Sequence, residues 1–145
     1  MKSKHIVTIM LILCVISMVL MLSGCKSFPY PYLHDSSEIN EIKLVIKTSG
    51  FNYSTQGEYE ELAIIEDIDT FLEEFNQVEF GRMIIGDPEL PDDGVQIILI
   101  IYNNGDLEGI GYDAQFVIQN GECRDGRIYC NQEEFEQFFA KWLEK

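Results

Sequence analysis

Four cysteines, two histidines and 25 aspartates and glutamates supply most of the side chains able to move a proton, hold a metal or form a covalent bond. His5 lies in the apolar N-terminal region, which leaves His34, in a stretch rich in proline and aromatics. A Ser-His-Asp or Cys-His nucleophile therefore has no positioned base. The sequence also lacks GxSxG, a phosphate-binding P-loop and HExxH. An acidic, proline-containing run over residues 86–94 holds Asp87, Glu89, Asp92 and Asp93, all hard oxygen ligands. The spacing is wrong for a calcium loop, because Pro91 takes the fifth position and no glutamate stands at the twelfth. No metal or other cofactor is expected. Paired carboxylates that cleave glycosides are an alternative chemistry, since acids are plentiful and their separation is not set by spacing.

Cys25 is different in kind. It ends an uncharged run over 6–22 that begins after Lys2 and Lys4 and closes on Ser23 and Gly24. A membrane span needs about 20 apolar residues, and this run is shorter, with only Lys26 following it. The order of basic start, apolar run and small residues is that of an export signal. Leu22-Ser23-Gly24-Cys25 resembles the lipobox of bacterial lipoproteins. The resemblance implies a diacylglycerol thioether on the Cys25 sulfur and cleavage between Gly24 and Cys25. It also implies attachment to the membrane on the extracytoplasmic face through that acyl anchor. Each buried methylene contributes about 0.8 kcal/mol, so two or three chains make the attachment permanent. Cys14 would be discarded with the signal.

The remaining pair, Cys123 and Cys130, would then sit in an oxidising compartment, where a structural disulfide is the simple expectation. If Asp125-Gly126 forms a two-residue hairpin, Cys123 faces Ile128 and Cys130 is offset; a wider loop brings the thiols together. A reduced, redox-active or metal-binding pair is the alternative, without CxxC spacing to favour it.

The chain carries a formal charge of −15, and loss of Lys2 and Lys4 with the signal makes it two units more negative. Such acidity argues against nucleic acid, which requires clustered lysine and arginine. It serves solubility and suits a basic envelope or secreted protein as partner.

These residues must be positioned by elements whose periods are readable. The Pro-Tyr-Pro-Tyr stretch inside 25–36 predicts an extended tether, holding a domain on the order of 20–35 Å from the bilayer. Alternation of Ile42, Leu44 and Ile46 with Lys43, Val45 and Lys47 predicts a strand. A short strand over 62–65 leads to a helix capped by Asp67, with Ile68, Phe71, Leu72 and Phe75 on one face. A strand is expected over 78–85, a two-faced apolar strand over 95–102, and its return over 107–112 after Asn103-Asn104-Gly105-Asp106. Gly109 and Gly111 share one face there and predict a thin patch open to a helix or ligand. Strands over 116–118 and 127–130, separated by turns at Asn120-Gly121 and Asp125-Gly126, then lead to a helix capped by Asn131, with Phe135, Phe138, Phe139, Trp142 and Leu143 as its apolar stripe.

The expectation is an α+β fold, an antiparallel sheet of about five to seven strands with two helices on one face. Its organisation is a lipoprotein signal over 1–24, a lipidated cysteine and tether over 25–36, and one domain over 37–145. The expected role is a non-catalytic binding module of the bacterial envelope, inhibitor- or immunity-like, rather than an enzyme. Asp87, Glu89, Asp92 and Asp93, with Asn104 and Asp106 of the 103–106 turn, are the expected partner-facing residues. A small envelope hydrolase or a ligand-sensing domain is the alternative.

Overall fold

The computed structural model describes residues 27–48, 59–81, 94–113, 115–126, 128 and 130–145, without the side chains of 123–126. Six strands are present: β1 (Ile39–Lys47), β2 (Tyr59–Ile64), β3 (Gln96–Tyr102), β4 (Leu107–Ile110), β5 (Gln115–Gln119) and β6 (Glu122–Gly126). The helices are α1 (Ile68–Phe75) and α2 (Gln132–Leu143). The sheet runs β2-β1-β3-β4-β5-β6, with every pair antiparallel. This is the α+β arrangement that the patterning predicts.

Alternation decides which side chain meets which layer. Ile42 and Leu44 of β1, Ile98 and Ile100 of β3 and Ile110 of β4 share one core with Phe71, Phe75, Phe135 and Phe139. Both helices thus cover the same sheet face. Each is capped as its sequence dictates: Asp67 accepts from the Thr70 amide at 3.1 Å, and Asn131 from the Glu134 amide at 3.2 Å. Edge-to-face rings lock them together, Phe71 against Phe138 at 5.2 Å and against Trp142 at 5.1 Å. The Trp142 indole donates to Glu74 at 2.9 Å, and Lys141 pairs with the same carboxylate. Leu143, expected within the stripe, is exposed instead.

The opposite sheet face carries a second cluster, Val45, Ile97, Leu99, Leu107 and Phe116. Gly109 opposes Phe116 in the β4–β5 register, and the ring lies across the glycine. A Cβ built on Gly109 would stand 2.1 Å from two ring carbons. The thin patch expected there is therefore filled from within the sheet, by an aromatic covering a cross-strand glycine.

Two strand expectations change. The β5–β6 hairpin turns at Asn120 and Gly121, both at positive φ, so Asp125 and Gly126 lie inside β6 and pair with Phe116 and Gln115. Of the strand expected over 78–85, the described part is one bridge at Phe80, which pairs with both Phe28 and Cys130.

Candidate functional site

Two carboxylates leave β4 and its preceding turn and point inward. In β4 the period of two places Glu108 on the side of Ile110, facing the helices, in register with Ile100 on one flank and Val117 on the other. An acid thus lands in the middle of an apolar face, and its exposure is 0 %. A bare carboxylate there would be strongly unfavourable, so its oxygens must be supplied with donors.

They are. The Tyr30 hydroxyl donates to Oε1, joined by the Gln115 amide at 2.9 Å. Tyr102 donates to Oε2 at 2.7 Å, and the Leu33 backbone N–H reaches the same oxygen at 3.1 Å. Gln115 also donates to the Tyr30 oxygen, which closes the network. Burial, and then the Glu108 charge, push both phenols above the usual tyrosine value, so they stay protonated donors.

Asp106 is a second clasp. The turn before it folds on itself: the Asp106 amide donates to Asn104 Oδ1, and Asn104 Nδ2 returns to Asp106 Oδ2, both at 2.9 Å. Asp106 Oδ1 accepts from the Asn120 amide of the neighbouring hairpin at 2.9 Å, and Oδ2 meets His34 Nε2 at 2.8 Å. The other ring nitrogen of His34 faces Glu38 at 3.3 Å, and the ring stands edge-on to Tyr102. The Asn120 N–H first, and His34 second, hold the Asp106 carboxyl below its ordinary value.

Three of these partners, Tyr30, Leu33 and His34, belong to the stretch expected as a free tether. That expectation is corrected here. Phe28 exchanges two 3.0 Å backbone hydrogen bonds with Phe80, and Tyr30 is only 3 % exposed, packed on Phe75 and Phe80. Proline at 29 and 31 favours an extended backbone, and an extended segment can lie along the core as a strap. The domain therefore begins by residue 27 rather than at 37.

No family model, curated protein or solved structure matches this chain. Among the described residues no group of three or more His, Cys, Asp and Glu side chains could hold a metal ion, and no helix is long and apolar enough to cross a membrane.

The expected site residues divide into three groups. Cys25, Asp87, Glu89, Asp92 and Asp93 lie outside the described residues. Asp106, expected to face a partner, is buried and committed to His34, Asn104 and Asn120, so its role is corrected to that of an internal clasp; Asn104 is exposed but spends its amide on it. The cysteines are separated. Cys123 opposes Ile118 in β5, whereas the Cys130 amide bonds the Tyr112 carbonyl at 2.7 Å, beyond the other end of that strand. Strand residues rise about 3.3 Å each, and a disulfide tolerates a Cα separation of at most about 7 Å. Cys130 is accordingly a free, half-buried thiol, and the expected bridge is not formed.

Glu108, the most buried acid of the site, is the residue that sequence reasoning missed. Its signal was the strand period that puts it on the Ile110 side. The carboxylate reaches no solvent and its four donors leave no place for a substrate. As arranged, the Glu108–Asp106 pair binds the chain to itself.

Proposed function

We propose that this chain is a lipid-anchored, extracytoplasmic binding module of a bacterial envelope, without catalysis of its own, that recognises a basic protein. The observation that carries the reading is the run Leu22-Ser23-Gly24-Cys25, set directly before a strap that is locked into the core. Phe28 stands three residues after Cys25, a reach of at most about 11 Å. A lipid on that sulfur would hold the domain against the bilayer surface, closer than a free stalk would allow. The acidic composition supports a cationic partner, which it would steer and which it would not resemble.

Growth of cells expressing the full chain with labelled fatty acid tests the reading. Label should enter the wild-type protein and be lost in Cys25→Ala, which should also leave the membrane fraction. An unlabelled wild-type product would refute the anchor. Crosslinking on intact cells should then recover a protein of high isoelectric point.

A further inference from the structure

The sheet ends on one side at β2, and the outer edge of that strand pairs with nothing among the described residues. An unpaired edge presents a row of free N–H and C=O groups, a ready template for another strand. Proteins usually guard such an edge with lysine, proline or a covering segment. Here the guard has one sign. Glu60 and Glu61 lie on β2, and Glu66, Asp67 and Asp69 follow it, all exposed. Of the cations on the neighbouring strand, Lys47 is buried opposite Tyr59, and Lys43 already pairs with Glu61 at 2.8 Å and Glu41 at 3.4 Å.

The same edge shows apolar surface. Of the three large hydrophobic side chains exposed among the described residues, two are on β2: Leu62 at 36 % and Ile64 at 50 %. Leu62 sits where the β1–β2 register slips, since Leu44 pairs with Ala63 and Val45 with Glu61. Ile64 continues into a recess bounded by Glu66, Asp67, Trp142 and Lys145. Acidic side chains repel a second copy of so acidic a chain, yet attract an extended segment that alternates basic and apolar residues.

We propose that β2 is the docking edge of this module and that it takes up an extended, basic segment of a partner protein as an added strand. The proposal rests on the binding-module reading and gives it a surface. Backbone hydrogen bonds would hold the incoming segment, Leu62 and Ile64 would meet its apolar residues, and the carboxylates would select its charge.

The test uses the full chain in detergent and three ten-residue peptides. One alternates lysine with valine, one alternates glutamate with valine, and one is the lysine peptide with proline at every second valine. The lysine–valine peptide should bind and slow hydrogen exchange at the amides of 59–64. The glutamate peptide should bind at least ~100-fold more weakly, and so should the proline peptide, which keeps the charge and loses the donors. Leu62→Lys with Ile64→Lys should weaken binding at least ~10-fold, with the circular dichroism unchanged. Glu133→Lys with Glu136→Lys, on the exposed side of α2, should leave it intact.

Absence of lysine–valine binding overturns the proposal, and so does equal binding of the proline peptide, which would mark a diffuse charge effect. Protection outside β2 would also overturn it, as would a concentration-dependent dimer abolished by the β2 lysines. Fatty-acid labelling is read separately, so loss of the anchor and loss of the docking edge are distinguishable.

Discussion

The Tyr30 hydroxyl donates to the Glu108 carboxylate across 78 residues of sequence, and that contact makes the N-terminal strap part of the hydrophobic core. A tether that merely hung from the domain would contribute nothing to its stability. Here Tyr30→Ala should cost about 3–5 kcal/mol, the range for removing a large buried aromatic. Urea denaturation with an unchanged m-value is the measurement, and a midpoint equal to wild type would contradict the docking.

Glu108→Ala should be as damaging, by about 3–5 kcal/mol, because it strands the Tyr30, Tyr102, Gln115 and Leu33 donors without an acceptor. The informative comparison is Glu108→Leu made together with Tyr30→Phe and Tyr102→Phe. That triple variant removes the acceptor together with both phenol donors, leaving only the Gln115 amide and the Leu33 N–H unmatched, and should recover part of the loss. If it is no more stable than Glu108→Ala, the network is not what holds the strap.

Asp106 predicts a pH dependence of definite sign. Its carboxyl lies below the ordinary 3.8, held there by the Asn120 N–H and by His34. A depressed folded-state value means stability that is present above the unfolded value and is lost as pH falls through the folded one. Asp106→Asn should therefore be less stable at neutral pH and should lose less on acidification below about pH 4. Asp35, Asp67 and Glu74 are depressed as well and keep their share of the acid limb in the variant. Parallel acid limbs for wild type and variant would contradict the assignment.

Local pattern made much of this fold legible. The caps Asp67 and Asn131, the aromatic stripes behind them and the alternation of β1 and β3 are statements about neighbours in sequence. The clasp is not, because Glu108 meets Tyr30 and Leu33 from the far end of the domain. Pro29 and Pro31 declare an extended backbone, and extension describes a bound strap as well as a free stalk. The choice lay in the aromatic residues at 28, 30 and 32, whose burial depends on what lies beneath them. Asn120-Gly121 and Asp125-Gly126 both carry turn chemistry; the first forms its turn, at positive φ, whereas the second lies inside β6, paired with Phe116 and Gln115.

Gly109 has no room for a methyl group while Phe116 lies over it. Gly109→Ala should destabilise by about 1–3 kcal/mol through overpacking of the second cluster. Shortening the ring in Gly109→Ala with Phe116→Leu should return part of that loss, and the coupling between the two changes is the quantity to measure. Simple additivity would mean that the ring does not sit on the glycine in solution.

Cys130 offers the final prediction, one that the strand register makes unambiguous. Burial, and then Glu134, push its thiol up to about 11, so little thiolate exists at neutral pH. Iodoacetamide should therefore modify the folded protein slowly at pH 7, and the rate should climb about tenfold per pH unit toward that value. Unfolding in urea, without any reductant, should bring Cys130 to the ordinary rate of an exposed thiol, with Cys130→Ser as the blank. Cleavage at Arg124 and Arg127 under non-reducing conditions should release the Cys123 and Cys130 peptides separately, as their positions beside Ile118 and Tyr112 require. A linked pair, labelled in urea only after reductant is added, would mean that β6 pairs with β5 in another register. It would require a loop wider than a two-residue Asp125-Gly126 turn, one that brings the two thiols together.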